Sequence, residues 1–592
     1  MKILIIIIFI TLNLSFVVSS NETEIIELHV NQSLDQMVLD QENTEIKEKT
    51  EITNMPVSEN SSESSETEIN NNDEGSLDIV NIKSEVMFFD KIEPIQVNKI
   101  LKNAKNIKSK TLQDEFNNLL INLNFDNENI KDKSIFYSIV NYFYNIGSIS
   151  KSYSLIKSKN IEDSEKINFY NILEINYLLS TSQLENVCNI KNDLKIETNL
   201  KNNFKDKIEI FCLILQGKQS EAELLNSIML EMEEQTDKTF QQLFYSLSNV
   251  TNDETNTQDI FIQNFDKNLI FLYSAMARIA EVPLNEVFLN IDPLNLAIPI
   301  ILNKSTPINL RLKAANKSYL NGSISIESLA ALYQSVDFDS GDLNQPKETI
   351  NKFSNDIELL MAFHFQLINI QIFPSERLEA LIDFWNFAKK NNIESIAFAL
   401  SNTIVNSIEI KAEYLKYSPQ IAMSYISNNN LIKATEWITF YEKVNGVDNT
   451  SNLVNMLISF HSSDDINSIV NTINDNYEEL IKLNADDSEE LFFILSSILL
   501  KDKPKILLDN FDKIYDERQT TSIYLTENIQ ASIDNNEQNK FLIYSIISLN
   551  NKEWNEIHPS NLKLLLKGFL KYKNGLLFKD IILEIFKNHQ LI

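Results

Sequence analysis

From about residue 88 to the C-terminus, apolar side chains fall three and four positions apart, the spacing that lines one face of an α-helix. The runs IFYSIVNYFYN, KIEIFCLILQ, LIFLYSAMARIAE, RLEALIDFWNFAKK, LFFILSSILLK and LLFKDIILEIFKNH all carry it. Strand-like alternation bounded by Gly or Pro turns is almost absent. One stretch, NLRLKAANKSYLNGSISIESLAALYQSV (309–336), shows the repeating unit. Ile308, Leu312, Ala315 and Tyr319 share a face of a first helix. Asn321 and Gly322 end it, and Gly322 suits the left-handed position just past a helix end. Ser325 suits the N-cap of a second helix, with Glu327 facing the positive end of its dipole. Ile324 and Leu329 fit a hydrophobic staple across that cap. Leu329, Leu332, Tyr333 and Val336 then continue the apolar stripe. Neither helix can bury its stripe alone, so the pattern predicts stacked α-hairpins and an all-α fold.

Two hairpins share a further spacing. Ala422, Tyr425, Ala434 and Ile438 fall at the same offsets as Val140, Phe143, Ser152 and Ile156. Small, aromatic, small, apolar at these offsets resembles tetratricopeptide packing, without that motif's leading Trp or its regular period. The expectation is a degenerate α-hairpin solenoid or superhelix.

The chain ends of this pattern differ in texture. MKILIIIIFITLNLSFVVSS (1–20) has a positive start, an apolar stretch, and Val18 and Ser20 ahead of a cut, which reads as a secretory signal peptide. An uncleaved anchor is the alternative. Residues 21–88 read as a disordered acidic tail: positions 21–80 hold 16 acidic side chains against two lysines, with few aromatics. Residues 89–248 form a first helical-repeat region, 249–264 a polar linker and 265–592 a second helical-repeat region. No later run approaches the roughly 18 apolar residues of a spanning helix. The mature protein is therefore expected to be exported, periplasmic or secreted, with no membrane span.

Composition narrows the function. The 592 residues include 8 glycines, too few for the turns of a Rossmann, P-loop or sandwich fold, so helices must be joined by Asn, Asp and Ser. A net charge of −31 disfavours nucleic acid, whose phosphates need clustered Lys and Arg. The five histidines, His29, His364, His461, His558 and His589, sit in no zinc-ligand spacing; His461 precedes Asp464 and Asp465, and a surface helix end is the plainer reading. DFDSGDLNQPKE (337–348) places Asp337, Asp339 and Glu348 as in a calcium-binding loop, but Asp342 stands where that loop needs glycine and Pro346 interrupts it. The sequence thus assigns no catalytic, cofactor-binding or metal-binding residue.

The two cysteines, Cys188 and Cys212, lie 24 apart, symmetric about residue 200 in a polar stretch. If that stretch turns a helical hairpin, the pair comes within bonding reach, and an exported chain would form the disulfide. Two buried thiols are the alternative.

The 309–336 stretch resembles an uncharacterised group of exported helical proteins of alphaproteobacteria, some labelled antifreeze-related. Arg311, Ala314, Ala315, Gly322, Glu327, Leu329, Ala330, Leu332 and Tyr333 match its R-x-x-A-A…G…E-x-L-A-x-L-Y pattern. Residues 211–244 and the C-terminal LKLLLKGFLKYKNGLLFKDIILEIF are similar to other segments of the group, so the resemblance runs from about 180 to the end. It implies an exported helical body and no activity; no Thr-Ala-Ala repeat supports the antifreeze label. The functional expectation is non-enzymatic: protein–protein interaction or scaffolding in the cell envelope, with an unknown protein partner. The alternatives are a periplasmic cell-wall enzyme of lytic transglycosylase type, for which Glu327-Ser328 supplies a motif start but not the Gly-rich continuation, and a secreted protein of another class.

Overall fold

The computed structural model describes residues 93–125, 129–159, 163–190, 203–232, 236–248, 268–462, 488–499 and 516–589. The expected signal peptide and acidic tail, and the linker 249–264, lie outside the described residues. Among the described residues every regular element is helical: 27 α-helices and three short 3-10 segments, with no strand.

Successive helices pair as hairpins. Ile130–Asn145 packs on Ile149–Lys159, Phe204–Leu215 on Gln219–Met232, Ile357–Ile370 on Pro374–Lys390, Ser418–Ser427 on Leu431–Asn445, and Ile523–Asp534 on Gln538–Leu549. The shared small-aromatic spacing lies inside two of these hairpins. Val140, Phe143 and Ser152 are fully buried, as are Ala422, Ala434 and Ile438, with Tyr425 nearly so. The small residue lets the paired backbones approach: Ser152 donates its hydroxyl to the Val140 carbonyl at 3.0 Å. The same need shows at Gly568, where a Cβ would meet the Phe541 ring at 2.1 Å.

The expected unit forms as helices Ile308–Leu320 and Ile326–Gln334. Gly322 has φ +72°. Ser325 caps the second helix by accepting from the Ser328 amide at 3.2 Å. Ile324 and Leu329 are both buried beneath that cap.

One device ends helix after helix. A residue in the left-handed region is followed by an amide that bonds five residues back, the Schellman arrangement. It occurs at Gly147, Gly217 and Gly322, and also at Ser182, Glu281, Asn392, Asn429 and Asn536. The following amides reach Phe143, Leu213, Ser318, Leu178, Ala277, Ala388, Tyr425 and Ser532 carbonyls at 2.7–3.0 Å. A chain poor in glycine therefore ends its helices with asparagine, which tolerates the left-handed region better than most side chains.

The buried apolar residues form one cluster that runs from Val97 to Phe586. Most packing is between neighbours in the chain, and helices on either side of 249–267 meet directly: Lys238–Ser248 packs on Ile270–Ile279, which also contacts Ile167–Ser180. The exception is at the ends. Helix Pro94–Ala104 packs on Gln538–Leu549, and Lys110–Ile121 on Leu576–Asn588, so the sequence of helix contacts closes on itself.

Candidate functional site

The helix Gln219–Met232 stands out by what it leaves uncovered. Its inward face follows the expected period: Ala222, Asn226 and Met229 are buried. Leu224, Ile228 and Met232, four residues apart, form a second ridge that is 64%, 44% and 78% exposed. Single exposed apolar residues are ordinary; three aligned along one helix face make a contiguous uncovered apolar strip. Exposed Glu221, which pairs with Lys218 at 4.0 Å, and exposed Glu231 lie beside it on the same side of the helix, so the ridge has an acidic rim.

The platform beneath this ridge is braced by three devices. The first is covalent. Cys188, in helix Leu184–Ile190, and Cys212, in Phe204–Leu215, lie at disulfide distance, with Cα atoms 5.5 Å apart. The stretch expected to turn between them, 191–202, lies outside the described residues. The second is ionic. Lys207 is 2% exposed and pairs with Asp237 at 2.7 Å. Asp237 also caps helix Lys238–Ser248 by accepting from the Phe240 amide at 3.0 Å, and it accepts from the Tyr273 hydroxyl. Burial pushes the Asp237 carboxyl upward, but the Lys207 charge and these hydrogen bonds outweigh it and hold the carboxyl below its ordinary range. The Lys207 ammonium sits over the Phe240 ring, 5.5 Å from its centre. The third is a reciprocal amide pair: Asn226 donates to Gln241 at 2.9 Å and Gln241 to Asn226 at 2.8 Å, both buried. The ridge therefore rides on a hairpin fixed to its neighbours by covalent, charged and neutral polar contacts.

Sequence reasoning anticipated the cysteine pair and missed the rest. Lys207, Asp237, Asn226 and Gln241 carry no local signature, because their partners lie 30 and 15 positions away. The ridge was hidden for another reason. Apolar residues on two faces of a helix read as deeper burial rather than as an open flank.

The other candidates resolve into structural roles. In 337–348, Asp339 caps the short helix Ser340–Asn344 by accepting from the Asp342 amide at 2.6 Å, and Pro346 starts the helix Pro346–Lys352. A cavity of about 380 Å3 lies against Asp339, Asp342 and Glu348, but Lys352 reaches into its lining and pairs with Asp342 at 2.8 Å. The lysine ammonium supplies positive charge where a calcium loop would take it from the ion. Glu327 is exposed in a first helical turn, and the Ser328 hydroxyl lies 3.3 Å from that of the N-cap Ser325. His461 has its pKa lowered by burial and by Lys579 and Lys587, a setting hostile to a cation; Asp464 and Asp465 lie outside the described residues. His558 caps helix Pro559–Lys571. His364 is buried against the Phe384 and Phe387 rings, 6.1 and 5.1 Å away. Among the described residues no group of three or more His, Cys, Asp or Glu side chains is arranged to hold a metal, and no helix is long and apolar enough to cross a membrane.

No protein family, curated protein or solved structure matches this chain.

Proposed function

We propose that this protein is an exported, non-enzymatic helical scaffold that binds another protein of the cell envelope through the helix Gln219–Met232. In this reading its hairpins form a superhelix whose curvature presents that helix outward. The observation that carries the reading is the apolar ridge Leu224–Ile228–Met232 on a braced platform. A rigid hairpin loses little freedom on binding, and that is the usual route from a modest apolar area to useful affinity. The acidic rim selects the partner's chemistry: an apolar helix face edged by Lys or Arg, since like charges across an interface are costly. Export is supported by the cysteine pair at disulfide distance, because such bonds persist in oxidising compartments, and by the apolar N-terminal stretch ending in small residues.

The test places a photo-crosslinking side chain at Ile228 of the full-length protein, in the cells that make it. A single adduct is expected at this position and none from the same group at exposed Glu379 on another helix. Leu224→Asp should abolish the adduct, and added salt should weaken it. Equal crosslinking at both positions, or indifference to Leu224→Asp, would overturn the assignment.

A further inference from the structure

The contact that closes the chain on itself differs in kind from every other helix contact described. In a stack of helical hairpins, each interface joins neighbours, and stability is close to a sum of nearest-neighbour terms. The closing interface joins elements more than 400 residues apart, so it carries the largest loop-closure entropy in the molecule. Release of 94–121 leaves the hairpins beyond it with their own chain neighbours. It parts helix Pro94–Ala104 from Ile130–Asn145 as well as from Gln538–Leu549.

Its polar ties converge on one side chain. Glu584, in helix Leu576–Asn588, accepts from the Ser109 hydroxyl at 2.5 Å and the Thr111 amide at 3.0 Å. It also accepts from the Trp554 indole nitrogen at 2.9 Å. A carboxylate here faces the amino end of helix Lys110–Ile121, where the helix dipole favours negative charge. The remaining ties are the Tyr572 hydroxyl, which donates to Glu115 at 2.8 Å, and half-exposed ion pairs, Lys108 with Glu553 at 3.2 Å and with Glu556 at 3.8 Å; such pairs are weak and screened by salt.

We infer that residues 94–121 form a separable clasp, positioned by Glu584, that opens as a unit while the rest of the helical body stays folded. Opening uncovers the apolar faces of helices Gln538–Leu549 and Leu576–Asn588, which the clasp otherwise occupies. The helical body thus has a closed form and an open form in which helices Pro94–Ala104 and Lys110–Ile121, too short to persist alone in water, unwind and expose their amides.

Hydrogen exchange on the full-length protein, read by mass spectrometry, tests this. In the unaltered protein, amides of 94–121 must exchange through an opening at least tenfold more frequent than that of helix Ile357–Ile370. Equal protection of the two segments overturns the inference. Glu584→Ala should speed exchange in 94–121 and 576–588 at least tenfold further, leaving Phe204–Leu215 and Ile357–Ile370 unchanged, and Glu584→Gln should do so less. Faster exchange through the whole chain would show the closure to be part of one folding unit. No change at 94–121 would show that Glu584 does not position it. Either result rejects the clasp.

Discussion

At the scale of single residues, the polar side chains buried among the described residues divide into those whose partners satisfy them and several, His364 among them, that keep an unpaired atom. Lys207 and Asp237 satisfy each other, and so do Asn226 and Gln241. His364 instead has an Nδ1 with no hydrogen-bond partner and lies among phenylalanine rings. Burial holds its pKa down, to about 4. An unfolded histidine takes up its proton near pH ~6.5. Between that value and about 4 the unfolded chain binds the proton and the folded chain refuses it, so stability falls as pH falls through this window. The loss at the acid end is on the order of 3 kcal/mol. Denaturant midpoints measured from pH 7 to 4 should decline in the wild type, and His364→Phe should remove most of that decline. Parallel curves for the two proteins would refute the argument. This residue was legible in the sequence only as a histidine outside any ligand spacing; its isolation comes from Phe384 and Phe387 on the next helix.

At the scale of elements, the fold was readable where its causes are local. The hairpin 308–336 could be laid out residue by residue, because cap, staple and stripe all act within five positions. Its Schellman glycine was equally plain. The same device at Glu281 was not, since glutamate rarely adopts φ +54°. There the packing of Val282, whose amide bonds the Ala277 carbonyl at 2.8 Å, imposes the turn against local preference. Glu281→Gly should therefore stabilise the protein by about 1 kcal/mol, the strain relieved less the added freedom of the unfolded chain. Asn429→Gly, at a position asparagine already tolerates, should change stability by less than about 0.5 kcal/mol. Thermal unfolding of the two variants separates the cases; equal shifts would mean that strain at Glu281 is absent. The cysteine pair was legible by arithmetic, there being two cysteines, while the ion pair and amide pair beside it were not.

At the scale of the whole molecule, helical class was evident from periodicity, but nothing in the sequence pointed to the meeting of its ends. Thr111 and Glu584 are 473 positions apart, and each looks like an ordinary helix residue. Periodicity says that a face is buried; it does not name what buries it. The acidic rim, the braced hairpin and the closing contact are all properties of assembly.

The closing contact also imposes a timetable. A ribosome finishes residues 94–121 long before Leu576–Asn588, the helix that receives them. At roughly 5–20 residues per second, this segment waits on the order of half a minute to a minute and a half for its later partner. Contacts between distant parts of a chain form late in folding for the same reason that they form slowly. The Thr111 amide, bonded to Glu584, is its own reporter. In pulse-labelled refolding it should gain protection after the amides of Ile308–Leu320 and Ile326–Gln334. Simultaneous protection would mean that the two ends find each other before the middle is built. Helices made early thus wait for one made late, and for that interval their unsheltered apolar side is open to whatever the cell places beside it.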